Sequence, residues 1–140
     1  MKKCVILFLV LALPLFAACA ASKNVADGAT PAESKTLAGL FVLQSVNGEA
    51  VAWERQPEIA FSEGLQVSGQ MCNRFSGPAT HEKGVLTAPH MAMTKMLCID
   101  DRLNQLDRDL AVLLRDGARV DLEKDTLTLS SDTIILVYAR

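Results

Sequence analysis

The fold is decided by the stretch Ser68-Gly69-Gln70-Met71-Cys72-Asn73-Arg74-Phe75-Ser76-Gly77, which a second stretch, Met93-Thr94-Lys95-Met96-Leu97-Cys98, complements downstream. Two glycines enclose a cysteine, an amide, a guanidinium and an aromatic ring. We expect Asn73 to bond its own backbone in a turn and Gly77 to supply a backbone conformation that other residues avoid. We interpret the first stretch as a structural motif that could also bind a ligand. Its key residues are Asn73, Arg74, Phe75 and Gly77.

The length and charge of the chain limit the possible functions. The 140 residues are enough for one ordinary domain with a real core. The formal net charge is −2 and no block of basic residues is present, so we predict that nucleic acid is not a partner.

The N-terminus has the features of a targeting segment. Lys2 and Lys3 precede an apolar run over residues 5–16, which is too short for a relaxed transmembrane helix. The run ends in Phe16-Ala17-Ala18-Cys19, which resembles the lipobox of bacterial lipoproteins. In that family the cysteine is diacylated and becomes the first mature residue, so residues 1–18 would be the signal peptide. Phe16 departs from the usual aliphatic residue, and the alternative is an ordinary secretory signal in which Cys19 has no role.

The residues after Cys19 indicate where the chain would be anchored. Ala20 and Ala21 follow it without an aspartate, which resembles the outer-membrane sorting signal of lipoproteins. Stable anchoring needs at least two acyl chains, and an acylated Cys19 would supply them. We therefore predict a domain that is attached to the outer membrane through Cys19 and faces the periplasm. Residues 19–36 would be the lipidated cysteine and a flexible tether, and the domain would occupy residues 37–140.

The cysteine count favours a disulfide. Cys4 would leave with the signal peptide and Cys19 would carry lipid, so Cys72 and Cys98 remain for an oxidising compartment. Closing this loop would stabilise the fold by about 3.5 kcal/mol on the chain-entropy model. A redox-active pair is the alternative, but the chain has no Cys-x-x-Cys motif.

Most of the domain is predicted to be short strands. A β-rich run over 40–46 ends at the turn signal Asn47-Gly48, and residues 59–61 and 65–67 form a hairpin around a turn at 62–64. A further strand is expected to run through Gly69 into Cys72, where Gly69 permits a bulge or a close approach. Other strands are predicted at 85–88, 118–122, 126–130 and 133–138.

One segment has helical periodicity instead. Leucines recur with a spacing of three to four residues over 101–116, with Asp100 or Asp101 as the N-cap and Gly117 at the end. The predicted fold is α+β: an antiparallel curved meander sheet or open barrel, interrupted and packed by one α-helix at about 101–116. The strand residues expected to face the core are Val120, Leu122, Leu127, Leu129, Ile134, Leu136 and Tyr138.

These motifs together resemble the META domain family. The resemblance rests on the run over 41–48, on residues 59–61, on the Gly-x-x-Cys-Asn-Arg-Phe-Ser-Gly block from Gly69 to Gly77, on Leu86-Thr87, and on Met93 to Cys98. It implies an envelope lipoprotein linked to heat and antibiotic stress, with a curved sheet packed on a helix. The family has no established catalytic residues, so none can be assigned here. We predict a monomer that is not an enzyme, and an envelope protein as its possible partner.

Three alternatives concern binding. Arg74 is expected to bond chain carbonyls or the carboxylate of Asp100 or Asp101, but Asn73 and Arg74 could instead form the polar floor of a ligand site. The sheet and helix could also enclose an apolar cavity for a small molecule or a lipid. The third alternative is a Cu(I) site. Its ligands would be His90, Met91, Met93 and Met96, joined by Met71, Cys72 or His81.

No cofactor or metal is predicted in the favoured interpretation. Alternating methionines are common filler of hydrophobic cores, and the set Cys72, His81, His90 and Cys98 has no standard zinc spacing. A hydrolase would need a triad built from two histidines in loop-like segments, and no nucleophile is paired with a base in the sequence.

Overall fold

The computed structural model describes residues 37–140, and the predicted signal peptide, tether, Cys4 and Cys19 lie outside these residues. The described part contains eleven strands and one helix, α1, at Asp101–Asp116. The strands are β1 Gly39–Val46, β2 Glu49–Ala50, β3 Glu58–Phe61, β4 Gln66–Gln70, β5 Arg74–Pro78, β6 Thr80–Glu82, β7 Val85–Thr87, β8 Ala92–Met93, β9 Ala118–Glu123, β10 Thr126–Ser130 and β11 Ile135–Ala139.

The strands form one antiparallel sheet that curls into a half-barrel. Its order is β6-β7-β9-β10-β11-β1-β3-β4-β5-β8, and β2 pairs with the end of β1. The N-terminal strand β1 therefore lies in the middle of the sheet, between β3 and the C-terminal strand β11. This confirms the prediction of a curved, sheet-dominated α+β fold.

Period-two alternation explains why these segments are strands. In β10 and β11 every second side chain is buried, namely Leu127, Leu129, Leu136 and Tyr138. Phe41 in β1 and Phe61 in β3 are also buried and meet edge to face, with ring centroids 6.4 Å apart. The inner face of the half-barrel is thus an apolar core.

Helix α1 begins and ends as the sequence predicts. The Asp100 carboxylate caps it by accepting a hydrogen bond from the Arg102 N–H at 3.0 Å. The Gly117 N–H donates to the Leu113 carbonyl at 2.9 Å, with Gly117 at φ 113°. The buried leucines of the helix pack into the core, and each contributes about 1.5–3 kcal/mol by burial. These leucines are Leu106, Leu110, Leu113 and Leu114.

The region of the family block differs from the prediction. The expected strand into Cys72 ends at Gln70, and the chain turns at residues 71–73 before β5 begins. Three short strands, β5, β6 and β8, were not predicted because their sequences are short or rich in polar residues. His81, expected in a loop-like segment, lies buried in β6.

Two glycines of the block are required by close packing. A Cβ at Gly69 would clash with the Glu58 carbonyl oxygen and lie 2.6 Å from the ring of Phe75. A Cβ at Gly77 would lie 2.7 Å from the Cα of Met91. Gly77 has no positive φ. The prediction that Gly77 supplies a special backbone conformation is therefore wrong: it makes room for a crossing chain segment.

Within residues 37–140, no helix combines the length and the hydrophobicity that crossing a membrane requires.

Candidate functional site

Asn73 and Asp107 connect the turn after β4 to helix α1. The Asn73 backbone N–H donates to both carboxylate oxygens of Asp107, at 3.2 and 3.1 Å, and the Asn73 side-chain N–H₂ donates to Oδ2 at 2.7 Å. Asn73 and Asp107 are 6% and 5% exposed. Among the described residues Asp107 has no salt bridge, so these N–H groups are what compensates its burial.

The same amide also holds the segment after β8. Asn73 Oδ1 accepts from the Met96 N–H at 2.6 Å and from the Thr94 hydroxyl at 2.9 Å, and Asn73 Nδ2 donates to the Met96 carbonyl at 3.0 Å. The side chain thereby pairs with the Met96 backbone as a neighbouring strand would. The prediction that Asn73 bonds its own backbone is wrong, because its partners lie on two other segments.

A disulfide and a second asparagine complete this region. Cys72 and Cys98 are joined, with their Cα atoms 5.9 Å apart. Asn104 on α1 accepts from the Cys98 N–H at 2.9 Å and donates to the Cys98 carbonyl at 2.8 Å. We call this arrangement the junction: the turn 71–73, the loop 94–98, and the side chains of Asn104 and Asp107. It fixes the loop to both the sheet and the helix.

Sequence reasoning missed the two helix residues of the junction. The leucine spacing predicts the helix but does not by itself single out Asn104 or Asp107. A signal was present, since Asp107 lies four residues after Leu103 and three before Leu110, on the apolar stripe. A polar residue inside such a stripe indicates a buried hydrogen-bond partner.

Arg74 is not part of the junction's polar network. Its side chain is exposed, and only its backbone contacts Thr94, whose N–H donates to the Arg74 carbonyl at 2.9 Å. Asp100, one of its expected partners, pairs instead with Arg102 at 2.6 Å. The hydrogen bond from the Arg102 side chain lowers the pKa of Asp100. Phe75, by contrast, packs in the core as expected.

Two open grooves flank the junction. The first, of about 640 Å³, lies on the outer face of the sheet. Its lining includes Leu40, Glu58, Ser68, Arg74, Ser76 and Ala92. The second, of about 450 Å³, lies between the loop and α1 and is mainly apolar. Its lining includes Met93, Lys95, Met96, Leu97, Arg108 and Ala111. We call the second one the helix groove.

The loop held by the junction exposes apolar side chains. Met96 is 59% exposed, Leu97 87%, and Ile99, just beyond the disulfide, is fully exposed. We call these three residues the apolar ridge. Large apolar side chains that are grouped on the surface indicate an interaction site more strongly than isolated ones.

The residues of the metal alternative have different environments. Met91 and Met93 pack against the core, whereas His90 and Met96 are exposed. The sulfurs of Cys72 and Cys98 are bonded to each other, so neither is a thiolate. His81 is 8% exposed, and its ring nitrogens have no hydrogen-bond partner. In the described part of the chain, no three His, Cys, Asp or Glu side chains are grouped as a metal site.

Comparisons with known proteins agree with this architecture. The chain is 46% identical to the heat shock protein HslJ of Escherichia coli (strain K12) over 99 residues, which cover 70% of this chain and 71% of that protein. A protein solved by NMR is 43% identical, with a TM-score of 0.70 over 79% of this chain and 94% of the other.

A second NMR structure, from Burkholderia xenovorans, has the same fold at 22% identity, with a TM-score of 0.59 over 81% of this chain and 90% of the other. The META domain model matches residues 35–140, which include every strand, the helix and the junction. The chain belongs to the META domain family.

Proposed function

We propose that this protein is a lipid-anchored, stress-related protein of the bacterial envelope that acts by non-catalytic binding. Its partner would be an envelope protein, and the binding would support envelope integrity during heat or antibiotic stress. The similarity to a heat shock protein supports the link to stress. The single observation that carries the binding function is the apolar ridge, which the junction holds exposed on a rigid loop.

The arrangement of polar groups supports binding rather than catalysis. A catalytic amide or carboxylate must keep bonding capacity for a substrate. In the junction, Asn73 hydrogen-bonds to Met96 of the loop and to the carboxylate of Asp107. These hydrogen bonds occupy groups that a catalytic role would need. The junction therefore serves to position the ridge, and the protein is proposed to act as a monomer without a cofactor.

The proposed location at the outer membrane rests on the lipobox-like sequence that ends at Cys19. Residues 1–18 would be removed, Cys19 would carry the acyl chains, and residues 19–36 would link the outer membrane to a domain that faces the periplasm. Intact mass spectrometry of the protein from membranes should show an acylated N-terminal Cys19. An unmodified chain that begins at another residue would contradict the anchor.

Binding can be tested by crosslinking and pull-down from heat-stressed cells. The full chain should recover an envelope protein reproducibly, and Leu97→Ser should reduce the yield because it removes apolar surface from the ridge. Val112→Ser, at an exposed position on α1 outside the ridge, is the matched control and should leave the yield unchanged. Equal recovery by both variants would contradict the ridge as the binding surface.

The alternative functions have less support from the contacts. An internal cavity for a small molecule or a lipid would need space where the core leucines and aromatic rings pack. A Cu(I) site would require Met91 and Met93 to turn away from the core against which they pack. Neither alternative explains why the loop is held with its apolar side chains outward.

A further inference from the structure

The sheet ends at β8, which has an open edge. Its strand partner is β5, through the pairs Phe75 with Met93 and Ser76 with Ala92. The Thr94 N–H donates to the Arg74 carbonyl. Because hydrogen-bonded and non-bonded positions alternate in an antiparallel pair, the backbone N–H and C=O of Met93 point away from β5. An edge of this kind is a template for pairing with another extended chain.

The two grooves lie on opposite sides of this edge. Ala92 lines only the outer groove and Met96 only the helix groove, whereas Met93 and Thr94 border both. Side chains of a strand alternate between the two faces of its sheet. A strand added to β8 would therefore place alternate side chains in the outer groove and in the helix groove. This is the arrangement by which sheet edges recognise extended peptides.

The charges around the edge indicate what the added strand contains. Arg74, Lys95 and Arg108 line the two grooves with exposed side chains, and none forms a salt bridge within residues 37–140. The carboxylates among the lining residues are Glu58 and the buried, hydrogen-bonded Asp107. The chain as a whole has a net charge of −2, so this group of cations is a local exception.

We propose that β8 binds an extended segment of another protein as an additional strand, and that this segment alternates apolar with polar or acidic residues. Its apolar side chains would fill the helix groove against Met96 and Ala111, and its carboxylates would lie in the outer groove and pair with Arg74. The proposal rests on the proposed binding function, since it names the class of partner. It assigns Met96 and Leu97 of the ridge to one wall of the helix groove.

Peptide binding to the full-length protein in detergent tests this proposal. The probe is a fluorescein-labelled peptide in which valine and leucine alternate with threonine and glutamate, followed by fluorescence anisotropy. We expect saturable binding. Ala111→Tyr, which fills the helix groove, and Arg74→Glu, which reverses a charge in the outer groove, should each raise Kd about tenfold or more, in line with the loss of a buried contact or an ion pair.

Matched controls separate the groove from general effects of substitution. Val112→Tyr adds the same ring on an exposed part of α1, and Arg55→Glu reverses an exposed charge away from β8. Both should leave Kd unchanged. A peptide that is N-methylated at alternate residues, and so cannot pair with β8, should lose binding. Circular dichroism of each variant confirms that the fold is retained.

Three outcomes would overturn the proposal. The first is that the N-methylated peptide binds as tightly as the probe. The second is that Ala111→Tyr and Arg74→Glu leave Kd unchanged. The third is that the protein binds phosphatidylglycerol vesicles and not the probe, which would make the ridge a membrane contact. If Ala111→Tyr recovers the envelope partner with unchanged yield in the pull-down, the proposed function stands and the strand-addition inference fails.

Discussion

The junction and the C-terminal meander, β9 to β11, are held together in different ways. In the meander the register between β10 and β11 is unbroken from the pair of Thr126 with Ala139 to the pair of Ser130 with Ile135. Backbone hydrogen bonds between strands and alternating apolar side chains are sufficient to hold the meander together. In the junction the strands are interrupted, and the side chains of Asn73 and Asp107 replace the missing backbone bonds.

This difference determines what each region tolerates. Apolar packing depends mostly on volume and pattern, so volume-conserving substitutions in the meander are expected to cost less than about 1.5 kcal/mol. A polar network depends on each member, because a buried group without its partner bears the full cost of desolvation. Substitutions in the junction should therefore lower the free energy of unfolding more than substitutions in the meander.

The largest expected effect is that of Asn73→Ala. The substitution leaves the Met96 N–H without its partner and removes a donor from the buried Asp107 carboxylate. We expect a loss of about 3–5 kcal/mol in the free energy of unfolding, since each buried unsatisfied group costs about 1–3 kcal/mol. Urea unfolding measures it. Leu129→Ile in the meander is the control, and equal losses in the two variants would remove the distinction between the regions.

Removal of the disulfide should have a smaller effect. A double variant, Cys72→Ala with Cys98→Ala, should lose about 3.5 kcal/mol or less on the chain-entropy model, while Asn104 and Asn73 still hold the loop. Urea unfolding of the double variant and of the reduced native protein should agree. If the double variant unfolds more easily than Asn73→Ala, the disulfide rather than the polar network dominates the junction.

The smallest expected effect is a gain in stability from Tyr138→Phe in the meander. Tyr138 is fully buried and its hydroxyl has no hydrogen-bond partner, so its removal should stabilise the fold by about 1 kcal/mol at neutral pH. A loss of stability on this substitution, measured by urea unfolding, would show that the hydroxyl has a partner such as water.

The same residue makes a prediction about alkaline pH. Burial raises the pKa of Tyr138 above its ordinary value of 10.0. The folded state keeps the hydroxyl protonated, so Tyr138 leaves the free energy of unfolding independent of pH below pH 10 and lowers it progressively as the pH rises above 10. Because the chain has a single tyrosine, phenolate absorbance on unfolding reports this group alone. Tyr138→Phe should abolish this alkaline loss, and an unchanged pH profile would contradict the argument.

The sequence predicts the meander and the helix well, because their apolar residues recur with clear periods of two and of three to four. It also singles out Asn73, Cys72 and Cys98, whose types are unusual at those positions. It does not predict their surroundings. The partners of Asn73 lie 21 to 34 positions away, at Thr94, Met96 and Asp107, and single-sequence periodicity carries no information on such pairs. The short strands β6 and β8 were missed because two or three residues cannot display a period.

The position of β1 has a consequence for synthesis of the protein. β1 leaves the ribosome long before β11, with which it pairs at Val42 with Ala139 and Leu43 with Tyr138. Until β11 emerges, β1 has a neighbour on only one side along most of its length, and the sheet stays divided at its centre. Contacts between chain ends are slow to form because a long loop must close first. The nascent domain should therefore remain incompletely folded, and accessible to proteases, until β11 has been synthesised.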